Sequence, residues 1–159
     1  MNGLMSLKLE TLREFQENYP NSCVGGSIGL MLRGISLKRE LICSDLDITT
    51  KEFNETKYSI DELSQRSDDN DFDFCLMKTY SNGNYTKLDI RINFEFTYDV
   101  IEFNGFKYNV ARVEEILFWK KIYAAKGIEK HADDLITIET GVRPFRINKT
   151  QYDPDDFPF

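Results

Sequence analysis

Two Asn-Gly dipeptides, Asn82-Gly83 and Asn104-Gly105, constrain the fold more than any other feature of this sequence. They separate segments in which polar and apolar residues alternate: 72–80 from 85–96, and 98–102 from 106–109. Asn-Gly between such segments is the strongest short-range signal for a β-hairpin, because both residues tolerate the positive φ that the turn requires. The second half of the chain is therefore predicted to contain antiparallel strands.

Helices and further strands surround these hairpins. Apolar residues at helical spacing predict helices, and short apolar or alternating runs predict strands. Predicted helices cover residues 5–18, 27–35, 59–66, 113–125 and 129–139, and predicted strands cover 22–24 and 45–50. The helix over 59–66 rests on a capping box formed by Ser59 and Glu62. This order predicts an α/β (α+β) fold with a mixed sheet, flanking helices and C-terminal helices over residues 1–140, followed by an extended tail over 141–159.

Composition limits the compartment and the partners. With 159 residues, 41% of them hydrophobic, the chain is long enough for one domain with its own core. Its net charge of −7 disfavours a large basic surface for nucleic acid, and no apolar run approaches the ~20 residues that a membrane helix needs. The three cysteines fit neither a disulfide framework nor a zinc motif. We therefore expect a cytoplasmic protein without membrane contact.

The segment Val24-Gly25-Gly26-Ser27 is a candidate phosphate-binding element. A short apolar strand leads into two glycines, and Ser27 is predicted to cap the helix that follows. Glycines let the backbone approach a ligand closely, and the first N–H groups of a helix are free to bind an anion. A plain turn with a serine cap explains the same residues without a ligand, so other residues must decide between the two interpretations.

Three aspartates form a candidate metal site. Asp45 and Asp47 are two positions apart in a predicted strand, so their side chains share one face while the intervening residues point to the core. Asp89 has the same kind of position in the segment 87–92. If these strands are neighbours, the three carboxylates meet and suit Mg²⁺ or Mn²⁺, which prefer oxygen ligands. Solvated outer faces of two strands are the alternative explanation.

Together, Gly26-Ser27, Asp45-x-Asp47 and a single Asp89 in a later strand resemble the nucleotidyltransferase superfamily related to DNA polymerase β. The segment 112–135 is similar to the region after the core in minimal and abortive-infection-type toxin nucleotidyltransferases, where a helix carries a lysine and a charged turn follows. The resemblance implies a nucleotidyltransferase fold that binds a nucleoside triphosphate. It also implies these roles: phosphate binding by Gly25, Gly26, Ser27 and either Lys120 or Lys121, metal binding by Asp45, Asp47 and Asp89, and deprotonation of the acceptor by Asp89.

One departure from that superfamily concerns spacing. The gap between Ser27 and Asp45 is longer than is usual there, and Arg39 is interpreted as a displaced equivalent of an arginine that precedes the aspartates. A register shift of one residue in the following strand would turn Asp45 and Asp47 away from the site. His131 is interpreted as a surface helix residue and Trp119 as core.

Two functions follow as hypotheses. The first is an enzyme that moves a nucleoside monophosphate from a triphosphate to a hydroxyl on a protein, a tRNA or a small molecule, as a toxin-like or minimal nucleotidyltransferase. The second is a catalytically inactive binding module of the same fold, acting as an antitoxin or as an inhibitor of a partner protein. The acidic surface and the aromatic tail suit protein contact in the second case.

Overall fold

The computed structural model describes residues 2–59, 61–65 and 73–146. Its helices are α1 (Gly3–Asn18), α2 (Gly26–Leu32), α3 (Val113–Ala125) and α4 (Glu129–Thr140), with a short 3-10 helix at Glu55–Lys57. Its strands are β1 (Ser22–Val24), β2 (Leu46–Thr50), β3 (Leu63–Gln65), β4 (Phe74–Thr79), β5 (Tyr85–Ile92), β6 (Tyr98–Phe103) and β7 (Phe106–Ala111). In this part of the chain, no helix combines the length and the apolarity that crossing a bilayer requires.

The strands of the described residues form one mixed sheet in the order β3-β4-β5-β2-β1-β7-β6. The β2–β5 and β1–β7 pairs are parallel, and the other neighbouring pairs are antiparallel. Both predicted hairpins are present, and Asn104 and Gly105 have positive φ values of 48° and 83°, as a tight hairpin turn requires. The predicted fold class, a mixed sheet with flanking helices, is confirmed.

Alternation along the two central strands separates a core face from a site face. In β2, Leu46 and Ile48 are buried, and in β5 the same holds for Leu88 and Ile90. Because successive side chains in a strand point to opposite faces, the aspartates between these residues lie on the other side of the sheet. Helix α2 contacts β2 and α3, and α3 contacts α4. Residues of these three helices line one pocket together with Asp47 and Asp89, so the helices stand over the face that carries the aspartates.

The predicted helix over 59–66 is wrong for residues 61–65, which form a turn and strand β3; residues 60 and 66 lie outside the described part. The capping box itself is present: the Ser59 backbone N–H donates to Glu62 Oε1 at 3.2 Å, and the Glu62 N–H donates to Ser59 Oγ at 3.2 Å. Leu63, however, pairs with Leu76 of β4. Pairing with the sheet edge therefore outweighs the local helix signal.

Two boundaries near the candidate site also differ from the prediction. Helix α2 begins at Gly26 with Gly25 as its N-cap residue, so Ser27 lies in the first turn and does not cap the helix. Strand β2 begins at Leu46, so Asp45 lies just before the strand. Gly26 has a φ of +59°, which explains why the chain needs glycine at this point.

Residues 141–146, the described part of the predicted tail, bend back onto α4. The Arg143 guanidinium donates to the Leu37 carbonyl at 3.1 Å and to Asp134 Oδ1 at 2.6 Å. Arg146 Nε contacts Glu129 at 2.8 Å, and its guanidinium also donates to Asp133. The predicted tail beyond residue 146 lies outside the described residues.

Candidate functional site

A pocket of about 290 Å³ lies between the sheet and helices α2, α3 and α4. Every predicted site residue except Lys121 lines it: Gly25, Gly26, Ser27, Asp45, Asp47, Asp89 and Lys120. Lys121 is exposed, whereas Lys120, its neighbour on α3, is buried. The structure thereby places one lysine of the pair in the pocket and the other in solvent.

Asp47 and Asp89 face each other across the parallel pair β2–β5. They are direct partners in the register, flanked by the pairs Leu46–Leu88 and Ile48–Ile90. Since side chains of register partners point to the same face, both carboxylates stand over the same part of the sheet.

The glycine turn is joined to Asp47 by two contacts. The Gly25 N–H donates to the Asp47 carbonyl oxygen at 2.8 Å. A β-carbon placed on Gly26 would lie 2.0 Å from Asp47 Oδ2, closer than any real contact. The absence of a side chain at Gly26 is what lets the Asp47 carboxylate lie against the start of α2.

Lys87 provides the nearest positive charge to two of the aspartates. Its Nζ lies 3.5 Å from Asp45 Oδ2 and 3.5 Å from Asp89 Oδ1. Burial alone would lower the pKa of Lys87, but the charges of Asp89 and Asp45 raise it, so the side chain is a cation. Asp89 Oδ1 is nonetheless buried without a hydrogen-bond partner among the described residues. One acidic oxygen in the pocket thus has only a long ion pair.

Crowding of negative charge raises the pKa values of two carboxyl groups. The pKa of Asp89 is raised to about 7, mainly by burial and to a lesser extent by the charges of Asp47 and Asp45. Burial and the nearby Asp45 raise the pKa of Asp47 to about 6. The Asp47 side chain is nevertheless accessible to solvent at the floor of the pocket. Water there weakens the part of its shift that burial causes, whereas repulsion from Asp45 persists.

The three carboxylates are neighbours but are not gathered around one point. Within residues 2–59, 61–65 and 73–146, no group of three or more His, Cys, Asp or Glu side chains has an arrangement that could hold a metal ion. The chemistry of the set still suits a hard divalent cation, because its ligands are oxygens and Asp89 Oδ1 has no hydrogen-bond partner in the described part of the chain. Rotation of these side chains and of Lys87 would be needed to form such a site.

A positively charged cluster lies on the other side of the glycine turn. Ser27 Oγ accepts from Arg39 Nη2 at 2.8 Å and from Lys120 Nζ at 3.1 Å. Both cations also pair with the fully buried Asp134, Lys120 at 2.8 Å and Arg39 through two bonds of 2.9 Å. Arg143 completes the set around Asp134. We call these residues, Ser27, Arg39, Lys120, Asp134 and Arg143, the Asp134 cluster.

The Asp134 cluster contains more positive than negative charge. Burial alone would raise the pKa of Asp134, but the hydrogen bonds from Arg39 and the charge of Lys120 lower it well below its usual range. Burial lowers the pKa of Lys120, and the Asp134 charge opposes that effect. With Arg143 added, three cations share one carboxylate. The cluster therefore holds positive charge beside Ser27, where an anion would be stabilised.

Aromatic side chains form the wall of the pocket opposite the carboxylates. Trp119, Tyr123 and His131 line it, so His131 is not the plain surface residue and Trp119 not the pure core residue that the sequence indicates. The Arg91 guanidinium lies 3.9 Å from the centre of the Trp119 ring, and the Tyr123 and His131 rings are 5.1 Å apart. Burial, followed by the charges of Lys120 and Lys130, lowers the pKa of His131 to about 3. His131 is therefore neutral at physiological pH.

Sequence reasoning missed Asp134 and Arg143 as parts of the site. Asp134 is 95 positions from Arg39 along the chain, and no local pattern connects them. Two adjacent aspartates inside a predicted helix that also carries apolar residues were the available signal, since a buried carboxylate needs cationic partners.

Comparison with family models, with curated proteins and with solved structures gives no match to this chain. The interpretation of the pocket therefore rests on its own residues and their geometry.

Proposed function

We propose that this chain is a metal-dependent nucleotidyltransferase that moves a nucleoside monophosphate from a triphosphate to a hydroxyl group. One observation supports this most strongly: Asp47 and Asp89 are register partners on one face of the sheet, and Gly26 packs against the Asp47 carboxylate. Paired carboxylates beside a glycine turn and a cationic cluster combine the two chemistries that phosphoryl transfer needs, oxygen ligands for a cation and donors for phosphate.

The Asp134 cluster is the proposed binding site for the triphosphate. Arg39 and Lys120 already donate to Ser27 Oγ, so phosphate oxygens placed beside Ser27 would take over or share these donors. Buried Asp134 holds both cations in place without an anion present. Preorganised donors of this kind need little rearrangement when the ligand binds.

The oxygen ligands for Mg²⁺ or Mn²⁺ are Asp45, Asp47 and Asp89 in this proposal. Such a cation, when bound, would offset the negative charge of the triphosphate and lower the pKa of an acceptor hydroxyl. Displacement of Lys87 Nζ would accompany its binding, because the amine now lies 3.5 Å from both Asp45 and Asp89. The buried Asp89 Oδ1 would gain a partner, which none of the residues that the structure describes provides through a hydrogen bond.

Asp89 is the proposed general base for the acceptor. Asp89 lies opposite Asp47 in the pocket, and a carboxylate in that position can take up the proton of an acceptor hydroxyl. The acceptor oxygen forms a bond to the α-phosphorus, and the bond from that phosphorus to the oxygen bridging the β-phosphate breaks. Pyrophosphate leaves with the bonding electrons, and the acceptor proton passes to Asp89 and then to water.

The aromatic wall suits the nucleobase. Trp119 and Tyr123 line the pocket, and base–aromatic stacking contributes about 1–3 kcal/mol per base without selecting strongly among bases. This wall lies on α3, the helix that also carries Lys120. A nucleotide could therefore contact α3 with both its base and its phosphates.

Transfer of label from α-phosphate-labelled ATP, CTP, GTP and UTP tests the proposal. The purified chain with Mg²⁺ and a cell lysate should label a protein, RNA or small-molecule fraction with at least one nucleotide. The variant Asp45→Asn with Asp47→Asn should lose this transfer. Asp61→Asn, which removes an exposed carboxylate outside the pocket, should keep it. Absence of label from every fraction, together with no binding of any triphosphate in calorimetry, would rule the enzyme out.

Lys87 favours a second candidate, an inactive binding module of the same fold. Its ammonium group already lies between Asp45 and Asp89, where a cation is needed. In this case the chain supplies its own counterion and binds a partner protein, as an antitoxin or an inhibitor would. A stable complex that survives the Asp45→Asn, Asp47→Asn double substitution, with no transfer by either form, would favour this candidate.

A further inference from the structure

A second cavity, of about 160 Å³, lies next to the first pocket. It is bounded by α1, by the β4–β5 hairpin and by the segment before β2. Asp45 and Cys43 line both cavities, so Asp45 stands at the boundary between them. The other lining residues are Leu4, Lys8, Ile42, Tyr80, Gly83, Asn84, Tyr85, Thr86 and Lys87.

Lys8 of α1 is the unusual residue of this cavity. Only 3% of it is exposed, which is rare for a lysine. Its Nζ donates to the Ser44 carbonyl oxygen and, at 2.9 Å, to Thr86 Oγ1. An ammonium group has three donors, so the third has no hydrogen-bond partner among the described residues. A buried donor that lines a cavity and is not fully paired points to a ligand there.

The charges of the lining favour an anion. Two lysines, Lys8 and Lys87, face one aspartate, Asp45, in a chain whose net charge is −7. Burial lowers the pKa of Lys8, and the Asp45 charge opposes this effect only in part. An anion bound in the cavity would stabilise the charged form of Lys8 further.

The size of the cavity limits what part of a molecule it can hold. This cavity, of about 160 Å³, is about half as large as the first pocket, of about 290 Å³, and suits one charged group and the few carbons next to it. The remainder of the molecule would reach past Asp45 into the first pocket, where Asp89 lies.

We propose that this second cavity is the acceptor subsite and that Lys8 binds an oxyanion, phosphate or carboxylate, on the hydroxyl compound that receives the nucleotide. The proposal rests on the proposed nucleotidyl transfer. It adds the class of acceptor: a small hydroxyl compound with an anionic group a few bonds from the reacting oxygen. Because Lys8 also donates to the Ser44 carbonyl, the residue that binds the anion also holds the segment that carries Asp45.

Binding is tested first, without nucleotide or metal. Inorganic phosphate is titrated into the ¹⁵N-labelled chain, and the amide signals of residues 84–87 are followed by NMR beside those of Gly25, Gly26 and Ser27. We expect saturable shifts at residues 84–87. The affinity for phosphate that they report should fall at least tenfold in Lys8→Met, while the shifts at the glycine turn persist. Lys78→Met, which removes a half-exposed lysine outside the cavity, should change neither set.

A second variant guards against misfolding of Lys8→Met. Asn84→Asp adds a carboxylate at the exposed rim of the cavity without disturbing the core, and should weaken phosphate binding at residues 84–87 by repulsion. Shifts at these residues that do not saturate, or that are the same in Lys8→Met and Asn84→Asp as in the unchanged chain, would overturn the anion site.

Transfer is tested next, with glycerol, glycerate and glycerol 3-phosphate as matched acceptors and labelled triphosphate with Mg²⁺. We expect label on one or both anionic acceptors at least tenfold above glycerol, and loss of that preference in Lys8→Met. Which anionic acceptor is preferred separates phosphate from carboxylate. Equal labelling of all three would overturn the acceptor subsite. Phosphate binding at residues 84–87 without transfer from any triphosphate would show instead that the proposed enzyme activity had failed.

Discussion

The Cα atom of Gly26 lies so close to the Asp47 carboxylate that a β-carbon there would be 2.0 Å from Oδ2. Gly26 also has a φ of +59°, a conformation that residues with a side chain adopt at a cost. The glycine turn and Asp47 are therefore fixed with respect to each other by direct contact. This contact connects the proposed phosphate-binding element with the proposed metal ligand.

Gly26→Ala is expected to destabilise the fold and to displace Asp47. The left-handed conformation alone costs roughly 1–2 kcal/mol for a residue with a β-carbon, and the clash with Asp47 adds to this. Gly34→Ala is the matched control, because Gly34 has a φ of +80° but no atom of the described residues within 4 Å of the added carbon. Urea unfolding should show the larger loss for Gly26→Ala, and only that variant should lose triphosphate binding. Equal losses in both variants would mean that the contact with Asp47 has no influence.

Lys120→Met should weaken triphosphate binding at least tenfold, because Lys120 donates a hydrogen bond to Ser27 Oγ in the pocket, where the phosphates are proposed to bind. Loss of one partner from a buried ion pair costs about 3–5 kcal/mol when the other is left unpaired. Arg39 and Arg143 still pair with Asp134, so we expect a smaller loss of stability. Calorimetry with each triphosphate and thermal unfolding measure the two effects.

Lys121→Met is the control for Lys120→Met. It removes the same charge from the next position of α3, where the side chain is exposed to solvent. We expect affinity for triphosphate and stability to stay close to those of the unchanged chain. A similar loss of affinity in both variants would indicate a general effect of net charge, and would contradict a specific role for Lys120.

The parts of the fold that the sequence predicts are those determined by residues close to one another along the chain. Alternation and an Asn-Gly turn define the β4–β5 hairpin, and apolar spacing defines α3. The pairing of β2 with β5, which brings Asp47 opposite Asp89, can also be predicted, because both segments carry an aspartate between apolar residues that are buried. Strand β3 was not predictable in this way, because Leu63 pairs with Leu76 in spite of a formed capping box.

The Asp134 cluster marks the limit of sequence reasoning at the site. Its residues lie in α2, α3, α4, the segment between α2 and β2, and the tail after α4, and Arg39 and Asp134 are 95 positions apart. Their contact depends on how the helices pack over the sheet, which no periodic pattern encodes. The choice between Lys120 and Lys121 has the same origin, because the apolar spacing of α3 does not say which polar side is covered by α2 and α4.

Asp89→Asn is expected to stabilise the chain above neutral pH in the absence of metal. The folded state raises the pKa of Asp89 from an ordinary 3.8 to about 7, so it holds the proton more tightly than the unfolded state does. The contribution of this group to the free energy of unfolding therefore falls as pH rises from about 4 to about 7. Above that range the substitution removes a buried charge with an unbonded oxygen, and should add about 1–3 kcal/mol.

Urea unfolding of the unchanged chain and of Asp89→Asn at pH 5 and pH 8 checks this. The gain should appear at pH 8 and be small at pH 5, where Asp89 is already protonated. Asp61→Asn, at an exposed position, should alter stability at neither pH. Added Mg²⁺ should stabilise the unchanged chain at pH 8 but not Asp89→Asn. Lower stability of Asp89→Asn at pH 8 would show that the ion pair with Lys87 outweighs the crowding of carboxylates.

His131 should remain neutral in the folded chain down to about pH 4. Burial and the charges of Lys120 and Lys130 lower its pKa to about 3, with Arg39 acting in the same direction and Asp134 against it. The chain has one histidine, so a single imidazole signal in proton NMR reports the titration without ambiguity. In urea the same signal should titrate near the ordinary value of about 6.5.

The sign of the effect on stability follows from that difference in pKa. Between about pH 3 and pH 6.5 the unfolded state binds a proton that folded His131 does not, so this group lowers the free energy of unfolding as pH falls through that range. Lys120→Met removes a positive neighbour and should move the folded pKa of His131 upward. An inflection between pH 6 and pH 7 in the folded chain would instead place His131 in solvent, away from Lys120, and would remove it from the wall of the pocket.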